Sequence, residues 1–116
     1  MKDKITFAQF LEIEKQLEIK IGTILEADFL PGNKKMVKMT VSFGEGDERT
    51  VITNIGNRLA IPFPMLKGAQ FPFITNLMPA IINGVESSAM IMVTENSEGK
   101  VEIPVAANLT AGAKLL

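Results

Sequence analysis

Amide and hydroxyl side chains interrupt the apolar stretch NLMPAIINGVESSAMIMV, residues 76–93, at positions where a buried hairpin would carry apolar side chains. These polar residues are Asn76, Asn83, Ser87 and Ser88. Lining a groove, such uncharged donors and acceptors could bind nucleobases, ribose 2′-hydroxyls or a peptide backbone. Turn formation and hydrogen bonds at strand ends are the alternative, and Asn83 before Gly84 is typical of a turn. For Asn76, Ser87 and Ser88, both recognition and fold maintenance stay open.

Basic side chains in the first half of the chain could contact phosphate groups. They are Lys20, Lys34, Lys35, Lys38 and Arg49. A positive stripe of this kind is what a single-stranded nucleic-acid site requires, although solvated strand faces carry lysines as well. Residues 30–85 hold six basic and three acidic side chains. The whole chain has a formal charge of −1 and a pI near 5.5, which argues against a strongly basic nucleic-acid binder.

Catalytic and metal-binding chemistry has little support in the composition. The chain of 116 residues contains no Cys and no His, so it lacks thiolates, the usual general base and the commonest metal ligand. The acidic run Glu45, Asp47 and Glu48 has the composition of a hairpin turn. A glycine-rich phosphate loop between a strand and a helix is also missing from the sequence. We therefore expect no metal, no cofactor and no enzymatic activity.

Apolar contact with a ligand would have to come from Phe or Met, since the chain has no Tyr and no Trp. Phe63, in the segment IPFPM, is the best loop candidate for stacking on a base. Met78, Met90 and Met92 could form an adaptable binding surface, with packing in the core as the alternative. A hydrophobic content of 47% is high for a small domain and would be accommodated by self-association.

A short helix is predicted near the N-terminus. Thr6 and Gln9 fit a capping box, and an apolar stripe at helical spacing follows, made of Phe7, Phe10, Leu11 and Leu17. The stripe could pack on its own domain or contact a partner chain. We assign residues 1–17 to this helical extension, as a possible dimer contact, and residues 18–116 to a single domain.

Five strands are predicted after the helix. Residues 18–29 alternate with a period of two, and Gly22 within them suggests a bulge or sharp coil. The second strand alternates from Val37 to Phe43, the third covers residues 49–55, and the fourth covers residues 69–77, where Pro72 favours an edge or bulge position. The fifth covers residues 85–94 and places five residues on one face: Val85, Ser87, Ala89, Ile91 and Val93. A short VEIP segment and an apolar tail complete the chain.

This pattern predicts an all-β fold, a five-stranded Greek-key barrel of the oligonucleotide/oligosaccharide-binding (OB) type, with a short N-terminal helix and a small C-terminal β extension. The start MKDK lacks the pattern of a signal peptide, and no apolar run approaches the roughly 18 residues of a membrane span. We expect a cytoplasmic protein without a membrane partner.

Four segments occur in the order and spacing of a known domain: LEIKIGTILEA, PGNKKMVKMTVSFG, RTVITNI and NLMPAIINGVESSAMIMV. Together they resemble the tRNA-binding domain found in some methionyl- and phenylalanyl-tRNA synthetases, in free-standing tRNA-binding proteins and in export-chaperone-like relatives. The resemblance covers residues 17–116. Asn76, Leu77 and Pro79 match the family's Asn-Leu-x-Pro, and residues 84–90 match its Gly-Val-x-Ser-x-Gly-Met with Ala89 in place of the second glycine.

The resemblance implies a non-catalytic, stand-alone tRNA- or RNA-binding homodimer, with an aminoacyl-tRNA synthetase as a further possible partner. It assigns phosphate contacts to Lys20, Lys34, Lys35 and Arg49. It assigns shape recognition to Asn54, Asn76 and Ser87, and apolar contact to Met90 or Phe63.

One departure from the family pattern supports a different function. Where relatives often carry Lys and Arg in the turn that faces nucleic acid, this chain has Ala80, Ile81, Ile82 and Asn83. A turn without cations attracts phosphates weakly. The alternative is a chaperone-like export module that binds extended peptides in an apolar groove, and a third possibility is a purely structural dimerisation module.

Overall fold

The computed structural model of the chain describes residues 1–102 and 109–114, and within them the fold is mostly β. One α-helix, one short 3₁₀ helix and nine strands are present in this part of the chain. In chain order they are α1 (Phe7–Glu14), β1 (Ile19–Leu30), β2 (Asn33–Ser42), β3 (Glu48–Thr53), the 3₁₀ helix (Phe63–Leu66), β4 (Gln70–Ile74), β5 (Ala80–Ile82), β6 (Val85–Ser87), β7 (Met90–Ile91), β8 (Thr94–Glu95) and β9 (Val101–Glu102). The all-β prediction is confirmed.

The main sheet has five strands in the order β3-β2-β1-β4-β7, each antiparallel to its neighbours. β5 pairs with β6, and β8 pairs with β9, as separate hairpins. The five predicted main strands are present as one sheet, but it is open, with β3 and β7 at its edges, and does not close into a barrel. The physical reason is that residues 85–91 approach β3 through isolated hydrogen bonds, including one from Ser88 N to Thr50 O of 3.2 Å, and form no continuous ladder with it.

The first strand bends so that it serves two neighbours. Its first half pairs with β4 as far as Thr23, and its second half pairs with β2 from Thr23 onwards. The pairing of β1 with β2 has two irregularities, between Ile24 and Glu26 and between Phe29 and Leu30, so neither lies at Gly22, where the bulge or coil was predicted. Ile24, two residues after Gly22, points into the core.

Gly22 serves close packing. A Cβ atom at this position would lie 2.5 Å from Val41 Cγ1 and 2.8 Å from ring atoms of Phe43 and Phe73. Those rings meet edge to face with centroids 5.2 Å apart, a favoured arrangement for buried aromatic pairs. Only glycine leaves room for this contact.

Alternation along β2 is confirmed, because Val37, Met39, Val41 and Phe43 are all buried in the core. Phe71 and Phe73 of β4 complete its centre. Pro72 lies between them in an interior strand and not at the predicted edge. Its missing N–H is tolerated because the pairing of β4 with β7 begins only at Phe73.

The predicted fifth strand is divided into β6, β7 and β8. The alternation itself is retained: Ser87, Ala89 and Ile91 are buried, whereas Met90 and Met92 are exposed. The interruption falls at Ser88 and Ala89, where the chain crosses to β3. The face prediction is therefore confirmed, although the strand is not continuous.

Helix α1 begins at the predicted capping box. Thr6 Oγ1 accepts a hydrogen bond from Gln9 N (3.1 Å), and Gln9 Oε1 accepts one from Thr6 N (2.8 Å). No residue of the helix is buried, and Phe7 is 74% exposed. The helix does not bury its stripe on its own domain.

The segment at residues 109–114 returns to the first strand, since Gly112 N donates to Ile21 O (2.8 Å) and Ile21 N donates to Ala113 O (2.8 Å). The end of the predicted VEIP strand, Ile103 and Pro104, and the final Leu115 and Leu116 lie outside the described residues. Within those residues, no helix has the length and apolar character needed to cross a membrane.

Candidate nucleic-acid interface

A groove of about 470 Å³ lies where the two edges of the open sheet approach each other. One wall comes from β3 and the following loop, and the other comes from residues 77–93. The lining side chains are Met36, Ile52, Thr53, Asn54, Ile55, Arg58, Leu77, Met78, Ala80, Ile82, Ser87, Ala89, Met90, Ile91 and Val93. Among these described residues the surface is mostly apolar, and Arg58 carries the single charge.

Three of the predicted site residues lie in this groove: Asn54, Ser87 and Met90. Asn54 is exposed, and Met90 retains 56% of its accessible surface. Ser87 is buried, and its Oγ accepts a hydrogen bond from Ile52 N at 3.0 Å. This bond satisfies a backbone donor of the edge strand β3, so Ser87 holds the two walls together.

Arg58 also lines the groove, although sequence reasoning gave it no role. Its Nη1 donates to Glu95 Oε2 at 2.9 Å, and its Nη2 lies 3.5 Å from Asn54 Oδ1. The backbone is fixed as well, because Val101 N donates to Arg58 O at 2.6 Å. In the sequence Arg58 is a single cation in the loop GNRLAIP, outside the motifs that carry the family resemblance.

Asn76 lies away from the groove, beside the segment that joins α1 to β1. Its Oδ1 accepts from Glu18 N (2.8 Å), and its Nδ2 donates to Gln16 O (2.7 Å). Both ends of the side-chain amide are therefore engaged with the protein backbone, which anchors the start of β1.

Arg49 connects three parts of the sheet. Its Nε and Nη2 donate to the two carboxylate oxygens of Asp47 (2.9 and 3.2 Å). Its Nη1 donates to Thr75 O (2.7 Å) and Ser88 O (3.4 Å), and the guanidinium carbon lies 5.1 Å from the centre of the Phe43 ring. The guanidinium beside Asp47 lowers the pKa of that carboxyl.

Lys20 belongs to the same neighbourhood. Its Nζ lies 3.5 Å from Glu18 Oε1, and Thr75 Oγ1 donates to that oxygen at 2.7 Å. The hydrogen bond from Thr75, followed by the charge of Lys20, lowers the pKa of Glu18. Lys20 and Arg49 thus each face a carboxylate, and Lys114, bridged to Lys20, adds a third cation near Glu18.

Lys34 and Lys35 are exposed at the start of β2. Gly56 N donates to Lys35 O at 2.9 Å, which places the backbone of these lysines against the loop that carries Asn54 and Arg58. The predicted cations thus fall into two groups. Lys34 and Lys35 lie near the groove with Arg58, whereas Lys20 and Arg49 lie beside the carboxylates of Glu18 and Asp47.

Phe63 is half-buried, and its ring stacks on Phe29 with centroids 4.3 Å apart and an angle of 19° between the planes. It also packs against the core. Among the described lining residues, the large apolar side chains that stay exposed at the groove are Met78 (90% exposed), Met90 and Leu77.

Residues 19–114 match the family model described as "Putative tRNA binding domain". Methionine–tRNA ligase of Flavobacterium johnsoniae is 37% identical over 99 residues, which are 85% of this chain and 13% of that protein. The enzyme of the same name from Porphyromonas gingivalis is 32% identical over 114 residues, 97% of this chain and 16% of that protein. The chain thus spans about one seventh of the length of these relatives.

Solved structures agree with the fold. The MetRS related protein from Pyrococcus horikoshii superposes with a TM-score of 0.80 at 32% identity, and the match covers 99% of this chain and 100% of that one. Chaperone CsaA from Bacillus anthracis superposes with a TM-score of 0.74 at 23% identity, covering 98% and 100%. At 23% identity, the likeness to CsaA shows a shared fold and nothing further. The open sheet with its edge groove is the scaffold of a small binding domain, and the chain belongs to the tRNA-binding domain family.

Proposed function

We propose that this protein is a non-catalytic RNA-binding module whose ligand is tRNA or another structured RNA. The observation that carries the proposal is the family match, which extends over residues 19–114 and includes the whole groove. The groove adds an apolar surface for bases, bordered by Asn54, Arg58 and the nearby lysines. We further propose that the module acts in the cytoplasm, alone or with a synthetase. The Greek-key connection of an OB fold stays a prediction.

Lys34 and Lys35 are the cations best placed to attract phosphates to the groove, because both are exposed beside the loop of Arg58. Replacing both with Glu should weaken tRNA binding and lower the slope of log affinity against log salt by about 0.7 to 0.9 for each phosphate that the variant no longer binds. Fluorescence titration with labelled bulk tRNA would measure both quantities.

A double variant with Lys67→Glu and Lys100→Glu is the matched control, since it makes the same change in net charge at exposed positions outside the groove lining and the N-terminal extension. Unchanged tRNA affinity in the Lys34/Lys35 variant, or an equal decrease in the control, would remove these lysines from the site. Arg49 and Lys20 stay predicted contacts, supported less well because their donors already face protein carboxylates and carbonyls.

We propose a homodimer built through the N-terminal extension, residues 1–17, next to the binding domain of residues 18–116. The support is the apolar stripe of α1, which is exposed along its whole length in the single chain. A two-fold dimer would offer two grooves to one folded RNA and raise avidity without tighter single sites.

The alternative function is binding of extended peptides. It is favoured by the lining of the groove, where Met78, Met90 and the neighbouring Ile81 expose apolar side chains and Arg58 is the single charge among the described lining residues. Apolar binding persists as salt rises, whereas phosphate-driven binding weakens. The salt dependence of binding therefore separates the two functions.

A further inference from the structure

Arg58, the single charged side chain among the described residues that line the groove, is held by a carboxylate of the same chain. Its Nη1 lies 2.9 Å from Glu95 Oε2, and the side chains of Arg58 and Glu95 are 38% and 55% exposed. Ion pairs this exposed contribute little to stability. The pair is therefore easily opened by a competing anion.

The position of both residues is set by backbone contacts. The hairpin of β8 and β9 docks on the loop after β3 through hydrogen bonds from Val101 N to Arg58 O (2.6 Å) and from Ala60 N to Val101 O (2.8 Å). Val101 is fully buried. Arg58 consequently stays at the groove when its guanidinium leaves Glu95, and its fork of donors matches the oxygens of a phosphate.

We infer that Arg58 binds a phosphate of an unpaired nucleotide whose base occupies the apolar part of the groove, and that Glu95 occupies the phosphate position in the free protein. The inference rests on the proposed RNA-binding function. Asn54 Oδ1 lies 3.5 Å from Arg58 Nη2, so the Asn54 amide adjoins the guanidinium that would bind the phosphate. This amide can donate or accept a hydrogen bond with the base. The lining methionines can adapt to the face of a base where no aromatic side chain is available.

Displacement of Glu95 from Arg58 has a measurable consequence, because a carboxylate that competes with the RNA phosphate lowers the apparent affinity of the protein for RNA. Glu95→Gln should strengthen tRNA binding about two- to five-fold, the range that corresponds to one exposed ion pair. Arg58→Gln should weaken binding about tenfold, as expected for a hydrogen bond to a charged group, and should reduce the salt slope by about 0.7. In the Arg58→Gln background, Glu95→Gln should have no further effect.

The control for charge is Glu98→Gln, which removes the same negative charge in the turn between β8 and β9, where Glu98 N bonds to Asn96. The control for an unpaired nucleotide is a blunt RNA duplex, whose affinity should be the same for the Arg58→Gln and unchanged proteins.

Thermal unfolding of each variant shows whether the fold is retained. A tetrapeptide with a free C-terminal carboxylate serves as the probe for a competing anion of another class.

Three results would overturn the inference: equal effects of Glu95→Gln and Glu98→Gln, an effect of Glu95→Gln that persists without Arg58, or stronger peptide than tRNA binding that depends on Arg58. If the unchanged protein binds tRNA with a steep salt dependence and the Arg58 and Glu95 variants match it, only this inference fails. If the unchanged protein does not bind tRNA, the proposed function fails with it.

Discussion

Arg49 is the side chain that links the two edges of the open sheet. It starts from β3, reaches Thr75 O after β4 and Ser88 O between β6 and β7, and its charge is balanced by Asp47. Ser87 Oγ provides a second link by accepting from Ile52 N. These contacts position both walls of the groove, and they direct Arg49 towards protein atoms.

The carboxyls in this cluster predict how stability depends on pH. The folded protein lowers the pKa of Asp47, through its hydrogen bond with Arg49, from an ordinary value of 3.8, and that of Glu18, through Thr75, from 4.5. A group with a lowered folded pKa stabilises the fold above its unfolded pKa, and this contribution is lost as the pH falls through the folded pKa. We therefore expect the free energy of unfolding to decline on acidification below pH 4.5.

Urea unfolding of the Asp47→Asn variant tests whether Asp47 contributes to this pH dependence of stability. The variant should be less stable than the unchanged protein at neutral pH, and its decline on acidification should be shallower because one linked carboxyl is gone. Asp3→Asn is the control, as Asp3 precedes the helix and lies outside the sheet. Parallel acid curves for the Asp47 variant and the unchanged protein would contradict this account.

Residue types alone identified the groove only in part. Ser87 and Met90 were found because polar or flexible residues in an apolar stretch are unusual, whereas Asn54 was a candidate only through the family resemblance. Asn76 has the same signature, yet its partners Gln16 and Glu18 precede it by 60 and 58 residues, a distance that local patterns do not encode. Arg58 was missed because its meaning depends on Glu95, 37 residues away.

At the scale of elements, α1 is the segment least explained by the single chain. Its capping box specifies where it begins, and its apolar stripe has Phe7 and Phe10 rings 6.2 Å apart. None of its residues is buried. An amphipathic helix in water requires a surface to cover its apolar face, and a second copy of the chain would provide one.

Replacing Phe7 and Phe10 with Ser should convert the dimer to a monomer, because it removes two aromatic anchors from the proposed interface. The thermal midpoint of the monomeric domain should change little, since the helix contributes no buried residue. Analytical ultracentrifugation would measure the mass. Ala8→Ser with Glu12→Ser, on another face of the helix, is the control. A dimer that persists in the Phe variant would place the interface elsewhere.

The strands show which elements the sequence predicts well. β2 was predicted correctly because an uninterrupted alternation from Val37 to Phe43 has one interpretation. The bulge of β1 was predicted at the wrong residue. Gly22 is needed because the Phe43 and Phe73 rings leave no room for a side chain, whereas the irregularity after Ile24 depends on the register with β2. The fifth strand was interrupted by contacts with Thr50 and Arg49, which only the folded chain reveals.

At the level of the whole molecule, the cations of the first half of the chain differ in their surroundings. Lys20 and Arg49 are each paired with a carboxylate, Glu18 and Asp47, while Lys34 and Lys35 are exposed near the groove. With a net charge of −1, the protein has no general attraction for nucleic acid. Under the proposed function, RNA binding depends on this local set of cations and should be sensitive to salt.

Titration of labelled bulk tRNA with the purified protein at about 50 and 200 mM salt tests the central claim most directly. The account predicts measurable binding at the lower salt and an affinity roughly tenfold or more weaker at the higher salt, as expected when several phosphate contacts release counterions. Absence of binding at the lower salt, or binding that does not change with salt, would contradict the RNA-binding function and favour a peptide as the ligand of the groove.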